Sequence, residues 1–285
     1  MSNPYFLLSR KFYRRLIYPA TALFVALGLV VGSGYPSTAL NWRDLIVPGI
    51  QVIQITTMSD EQEVNLGKQM NEQLLSSGQF KRYRNQQVND YINAIGQRLV
   101  PASDRPDIPY TFQIIDDDVI NAYATMGGFV YITTGLLQEA SNEAEVAGVL
   151  AHEIGHISEK HTLKQMREQI VARGLADAAG LDSSVVVGIG LEVALRLPRS
   201  RQHEYEADLR GLETVMAANY APSGLIAFFQ KLMDKGGSSV PGFLSTHPSP
   251  ENRISQLKQQ VPAGMLDRGD GLNSSAYRAN ISPLL

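Results

Sequence analysis

Two stretches in the first half of the chain show the spacing of amphipathic helices. Ser59 and Gln62 form a capping-box pattern, and apolar residues then recur at helical intervals to about Leu75. Residues 86–99 repeat this spacing, and Pro101 ends the segment. Further helices are predicted over residues 142–161, capped by Asn142 with Glu145, and over residues 183–197, 202–218, 223–233 and 251–260.

Two shorter segments carry the apolar and β-branched residues that are typical of strands. They are Thr111–Ile115 and Phe129–Thr133, and the second is entered through Gly127 and Gly128. Helical segments outnumber these strands. The pattern therefore predicts an α+β fold that is mostly helical, with a small sheet of three or four strands.

Residues 1–39 differ from the rest of the chain. Four basic residues come before an apolar run, Leu16–Val31, and before the first acidic residue, Asp44. This order predicts a secretory signal cut after Ala39, or a retained membrane anchor if the run extends through Gly34; a buried helix is the alternative. The basic cluster predicts a cytoplasmic N-terminus with the rest of the chain across the membrane. Residues 40–57 are predicted to form a linker.

Composition narrows the functional classes. Apolar residues make up 44% of the 285 residues and charged residues 19%, which argues against wholesale disorder. The formal net charge of −3 provides no basic field for nucleic acid. Cysteine is absent, so a transition-metal site in this chain has to use imidazole and carboxylate ligands.

One helical segment contains the pattern HExxH, formed by His152, Glu153 and His156. At 3.6 residues per turn the two histidines project from the same face, one turn apart, where both can reach one metal ion. Glu153 lies about 100° around the helix, beside the metal position. There it can act as the general base that takes a proton from water.

A third ligand is needed, and the spacing leaves several candidates open. His161 comes one residue too early for the metzincin pattern, which favours a supporting or surface role over ligation. Glu204 and Asp208 share a helix face, so Glu204 can bind the metal while Asp208 accepts a hydrogen bond from a ligating histidine. The alternative is a solvated acidic face, which Glu206 also fits.

Together these motifs resemble the HtpX- and BepA-like zinc metalloproteases, relatives of the CAAX prenyl proteases and of the mitochondrial Oma proteases. The shared pattern is HExxH followed on a later helix by ExxAD, here residues 204–208, with a Ser-Arg pair shortly before it. Residues 121–124 resemble the edge strand of that family, and residues 246–248 with Arg253 resemble its C-terminal active-site loop. The resemblance covers roughly residues 58–262.

The resemblance implies a zincin-like metallopeptidase domain over residues 58–262, with an edge strand along the active-site cleft. It implies one Zn²⁺ held by His152, His156 and Glu204, with Glu153 as the base and Asp208 behind a ligating histidine. We expect Phe129–Thr133 to pair with an extended substrate through main-chain hydrogen bonds.

The resemblance implies less definite roles for His247 and Arg253. Either residue could stabilise the oxyanion of the reaction. His247 could instead occupy the open position of the zinc and keep the enzyme latent, or it could be a solvated loop residue.

The implied function is a zinc-dependent endopeptidase that acts on extended or unfolded polypeptides, including misassembled envelope proteins. The implied location is the periplasm or an equivalent lumen, with membrane attachment through the N-terminal segment if that segment is retained. A chaperone or assembly factor built on a zinc-stabilised protease fold is the main alternative, and a non-peptidase zinc hydrolase is the other.

Two segments remain. Residues 183–197 are almost wholly apolar, but the run is short and contains Glu192, which favours a core helix or a plug over the active site rather than a second membrane segment. Residues 263–285 are polar and are predicted to form a loose tail.

Overall fold

The computed structural model describes Ile55 and residues 58–173, 183–235, 242–248 and 250–285. The signal or anchor predicted over residues 1–39 lies outside these residues, as does most of the linker predicted over residues 40–57.

Helix α1 spans Asp60–Ser76 and begins at the predicted capping box. The Gln62 backbone N–H donates to Ser59 Oγ at 3.3 Å, and the Ser59 N–H donates to Gln62 Oε1 at 2.9 Å. Helix α2 spans Gln86–Leu99, the predicted range, and ends in a turn that contains Pro101. The sequence pattern locates both helices because their caps and apolar faces are local features.

The sheet has three strands: β1 (Thr111–Ile115), β2 (Ala122–Ala124) and β3 (Phe129–Thr133). Strand β3 lies in the centre, parallel to β1 and antiparallel to β2. The prediction that Phe129–Thr133 pairs with substrate is therefore wrong, because both of its edges are already hydrogen-bonded within the sheet. Strand β2 is an edge strand of this sheet, as is β1, and it packs beside α4, the helix described next.

Helix α3 spans Thr134–Glu139, and helix α4 spans Glu143–Ser158. Helix α4 ends three residues earlier than predicted, because Lys160 adopts a left-handed conformation with φ of 55°. A new helix, α5 (His161–Ala172), begins immediately afterwards. Every residue from Ala144 to Ile157 is buried, so α4 is the central helix of the fold.

Five further helices follow, and two of them pack on α4. The five are α6 (Ser183–Leu195), α7 (Arg201–Ala217), α8 (Ser223–Lys235), α9 (Gly242–Thr246) and α10 (Pro250–Gln260). Helices α7 and α8 pack directly on α4, and α6 packs on α1 and α5. The core packing predicted for residues 183–197 is confirmed, since Val187, Ile189 and Val193 are buried against these neighbours. Within the described ranges no helix has the length and apolarity that crossing a membrane requires.

The prediction of a loose tail from residue 263 is wrong. Residues Ser274–Asn280 form helix α11, and the buried side chains of Tyr277 and Ile281 pack into the main core. The Tyr277 hydroxyl donates to the Leu137 carbonyl at 2.6 Å. The polar composition concealed this contact, because two apolar side chains one turn apart are enough to dock so short a helix.

Candidate metal centre

Helix α4 brings His152 and His156 together on one buried face. They lie one turn apart, and their Nε2 atoms are 3.1 Å from each other. Both side chains are fully buried. The HExxH spacing thus produces the pair of imidazole nitrogens that the sequence predicted.

Helix α7 supplies the carboxylate. Ser200 caps this helix by accepting a hydrogen bond from the His203 N–H, and Glu204 follows in the first turn. Glu204 Oε1 lies 3.4 Å from His156 Nε2, and Glu204 Oε2 lies 3.7 Å from His152 Nε2. From the spacing alone, Glu204 fitted either a metal ligand or a residue on a solvated acidic face. Its side chain is buried and faces the histidines, which excludes the solvated face.

Two glycines allow α4 and α7 to approach closely enough. A Cβ atom at Gly155 would lie 2.6 Å from the Ala207 carbonyl oxygen, and one at Gly211 would lie 3.0 Å from the His152 backbone nitrogen. A side chain at Gly155 would clash with the backbone of α7, and one at Gly211 would push the two helices slightly apart. The glycines therefore set the distance between the two histidines and the glutamate.

The donor set fits a zinc ion. Tetrahedral zinc with bonds of about 2.0–2.1 Å has ligand atoms about 3.3–3.4 Å apart. The distances of 3.1, 3.4 and 3.7 Å among the three side chains bracket that value. Two imidazoles and a carboxylate are ligands that zinc accepts, so these residues can hold a metal ion.

Asp208 and Arg253 support this set from behind. Asp208 Oδ1 lies 3.0 Å from His152 Nδ1, as expected for a residue that fixes the tautomer of a ligand. The Arg253 guanidinium donates to both oxygens of Asp208, at 2.6 and 2.7 Å, and its Nη1 lies 2.6 Å from Glu204 Oε2. Arg253 is thus committed to two carboxylates, which favours a positioning role over the oxyanion role considered for it.

His161 and Glu206 form a similar support behind the second histidine. His161 Nδ1 lies 2.8 Å from His156 Nδ1, and His161 Nε2 lies 2.9 Å from Glu206 Oε2. His161 is therefore the supporting residue that the sequence favoured rather than a ligand. Glu206, which the sequence pattern placed on a solvated face, accepts the hydrogen bond of His161.

The local charges suit metal binding. Burial, followed by the Arg199 charge, holds the pKa of His156 well below its usual value, so the imidazole stays neutral, the form that binds metals. Burial alone would raise the pKa of Glu204, but His247, Arg253 and a hydrogen bond with His156 hold it well below its usual range. Glu204 is therefore an anionic carboxylate.

Glu153 is buried beside the centre, with its carboxylate unengaged. Neither carboxylate oxygen has a hydrogen-bond partner among the residues that the structure describes. His247 Nε2 is nearby, 3.5 Å from Glu153 Oε1. A buried, unpartnered carboxylate is costly for a fold, which indicates that it is kept for chemistry.

His247 also belongs to the centre. Its Nδ1 atom lies 3.2 Å from His152 Nε2 and 3.1 Å from Glu204 Oε1, so four side chains face the same point. The ring is 2% exposed and stacks on Phe243 with centroids 4.3 Å apart. The reading of His247 as a solvated loop residue is therefore wrong, because α9 packs it into the core.

Arg199 is a site residue that the sequence analysis missed. It lies between α6 and α7, it is 4% exposed, and its charge acts on Glu153 and Glu204. The only sequence signal was its place immediately after Pro198, shortly before the helix that carries Glu204.

A pair of helix-borne histidines, a glutamate from a second helix and a buried glutamate beside them define the site of the HExxH class of metallopeptidases. Comparison with known proteins agrees with this class. Residues 86–261, more than half of the chain, match the model of Peptidase family M48. The chain belongs to this family, as the sequence motifs predicted.

Individual relatives point the same way. The chain is 28% identical to the beta-barrel assembly-enhancing protease of Escherichia coli over 87% of this chain and 53% of the relative. It is 29% identical to the protein of the same name from Yersinia pestis over 81% of this chain and 50% of the relative. It is 32% identical to the mitochondrial metalloendopeptidase OMA1 of Saccharomyces cerevisiae over 54% of this chain and 48% of the relative. The chain thus spans about half the length of these curated relatives.

Proposed function

We propose that this protein is a zinc-dependent metalloendopeptidase. The observation that carries the proposal is Glu153, a buried carboxylate with unpaired oxygens beside His152, His156 and Glu204. A site that served only to stabilise the fold would not need such a group. The family membership supports the same reaction.

In the proposed reaction His152, His156 and Glu204 hold the ion. Zinc, when bound there, acts as a Lewis acid on the scissile carbonyl and makes water more acidic. Glu153 takes a proton from the attacking water and delivers it to the leaving amine as the C–N bond breaks. Asp208 and His161 keep the two imidazoles oriented throughout.

We propose that an extended polypeptide binds along the outer edge of β2, the edge that does not pair with β3. Strand β2 has one partner, β3, and Asn121 and Thr125 at its two ends direct their backbone bonds toward that partner. The carbonyls of Ile120 and Ala124 face the other way. Recognition through such main-chain groups is tolerant of side chains, which suits unfolded or misassembled polypeptides as substrates.

The position of His247 favours a latent state, in which this residue blocks the metal centre. Its Nδ1 faces the same point as the three ligands, where it would occupy the position that water or substrate needs. The same segment uses the substrate edge of β2, because the Phe243 N–H donates to the Ile120 carbonyl at 3.0 Å. Withdrawal of α9 and His247 would therefore open the fourth position at the metal centre and release the Ile120 carbonyl at the strand edge.

The substrate and location follow from the relatives and from the N-terminal segment. Relatives are named as beta-barrel assembly-enhancing proteases, so misassembled envelope proteins are the proposed substrates. The basic cluster followed by Leu16–Val31 supports export to the periplasm or an equivalent lumen. A reporter fused after Leu285, which leaves the C-terminal helix in place, tests this: it should be active only across the membrane, and activity confined to the cytoplasm would overturn the proposed location.

Digestion of unfolded casein tests the activity itself. The purified protein should cleave casein with zinc present, lose this activity in chelator and recover it when zinc is returned. A chaperone with a zinc-stabilised fold would instead suppress aggregation of the unfolded protein and leave its length unchanged. Failure to cleave under every condition, including release of His247 by substitution, would exclude the proposed function.

A further inference from the structure

Arg199 presents an unusual buried charge. Its side chain is 4% exposed, and its Nη1 atom has no hydrogen-bond partner within the described part of the chain. Its Nη2 atom makes one long contact, 3.5 Å, with the carbonyl oxygen of Ala124 at the end of the edge strand β2. A buried guanidinium with an unused donor is unfavourable unless a ligand completes its hydrogen bonds.

The other arginine of the centre shows what a paired guanidinium looks like there. Arg253 lies against Asp208 and Glu204 within 2.6–2.7 Å. Arg199 has no comparable partner in the described ranges, although the charges of Glu153 and Glu204 act on it. Its backbone bonds to Thr246, the residue before His247, and its Nη2 reaches Ala124 of β2, so the guanidinium lies between the metal centre and the substrate strand without a direct ion pair among the described residues.

With a metal ion bound, the positive charges of the centre would outnumber the negative charges by one. Three carboxylates, from Glu153, Glu204 and Asp208, face two guanidinium groups. Counted as formal charges, these groups sum to −1, and a bound dication would change the sum to +1. Such a centre is electrostatically complementary to an anion, and peptide hydrolysis produces one when the carbonyl oxygen gains charge.

The backbone that carries Arg199 is also held in place before any ligand arrives. The Arg199 backbone N–H donates to the Thr246 carbonyl at 3.0 Å, and the Gln165 side chain donates to the Pro198 carbonyl at 3.1 Å. The contact with Ala124 ties the other end of the side chain to the substrate edge of β2. A donor fixed in this way loses little freedom when charge develops, which is the condition for effective oxyanion stabilisation.

We propose that Arg199 is a catalytic residue that donates a hydrogen bond from Nη1 to the scissile carbonyl oxygen as it becomes an oxyanion. The water oxygen bonds to the carbonyl carbon, the carbonyl π pair moves to its oxygen beside Arg199, and Glu153 holds the water proton. When the C–N bond breaks, the pair returns and Glu153 gives its proton to the amine. This inference rests on the proposed peptidase activity.

Variants of the full chain test the assignment. Arg199→Gln removes the charge, Arg199→Lys keeps it, and Arg201→Gln is the matched control because Arg201 is exposed two residues away. Each is made with and without His247→Ala, so that a latent state does not hide an effect. The measurements are kcat and KM on a peptide blocked at both ends, the inhibition constant of a phosphinic peptide of the same sequence, zinc content, and thermal unfolding.

We expect Arg199→Gln to lower kcat about 10²–10³-fold with little change in KM and full zinc content. The inhibition constant of the phosphinic peptide, which carries the anionic tetrahedral group, should rise in parallel. Arg199→Lys should recover part of the loss, and Arg201→Gln should behave as wild type.

Several results would overturn the inference. One is a loss of kcat without weaker phosphinic binding, and another is a loss of zinc or of folded protein in both Arg199 variants. A third is full activity of Arg199→Gln on the blocked peptide with a loss only on the same peptide carrying a free C-terminal carboxylate, which would mean that Arg199 binds the C-terminus of the substrate. If wild type and His247→Ala cleave nothing, the proposed function fails instead.

Discussion

His161 Nδ1 lies 2.8 Å from His156 Nδ1, although the two residues are five positions apart in the chain. In a continuous helix this spacing would place them about 140° apart around the axis. The left-handed Lys160 ends α4 and begins α5 in a new direction, which returns His161 to His156. One backbone conformation thus produces the second support of the metal centre.

We predict that His161→Ala weakens zinc binding about 10–100-fold, because His156 loses the group that orients its ring. Zinc affinity measured by competition with a chelating dye checks this. His203→Ala is the matched control, since His203 stacks on His161 with centroids 4.3 Å apart and sits behind it. Equal affinity in wild type and His161→Ala would contradict the supporting role.

The two neighbouring glutamates of α7 should behave differently. Glu204→Gln and Glu204→Ala should lose zinc on dialysis, because each removes the anionic oxygens that face both histidines. Glu206→Ala should retain zinc with at most a modest loss of affinity, since Glu206 acts only through His161. Metal content after dialysis decides, and a zinc-free Glu206→Ala with metallated Glu204→Ala would reverse the assignment.

The sign of the His247→Ala effect distinguishes two roles. Release of a latent state predicts faster cleavage of casein, or of the protein itself, than in wild type. Oxyanion stabilisation by His247 predicts a rate slower by about 10²-fold or more. Initial rates at equal zinc content measure this, and an unchanged rate would exclude both roles.

The C-terminal helix should contribute to stability. Tyr277→Ala should lower the free energy of unfolding by about 3–4 kcal/mol, because it leaves a cavity and removes the hydrogen bond to Leu137. Arg278→Ala, at the exposed next position, should change it little. Urea unfolding of both variants checks this. A similar small effect in both would contradict the docking of this helix and favour the loose tail predicted from the sequence.

These outcomes show which features the sequence can predict. Helix α2 and the HExxH pair were predictable because caps, apolar faces and the spacing of His152 and His156 are local properties of the chain. Glu204 required the family resemblance, since spacing alone also fitted a solvated face.

Other features depend on distant contacts. The central position of β3 follows from pairing with β1 and β2, and no pattern within Phe129–Thr133 encodes its partners. The burial of His247 depends on Phe243 and on the docking of α9 against the residues before β2. The position of Arg199 after Pro198 did not indicate its role, because an unpaired buried donor is visible only once its surroundings are known.

The most direct test of the account is Glu153→Gln, measured as zinc content and casein-cleavage rate on the same sample. The change keeps the size of the side chain and all three candidate ligands but removes the base. We predict one zinc per chain, as in wild type, and a rate lower by about 10²–10⁴-fold. Full cleavage by a metallated Glu153→Gln protein would contradict the account.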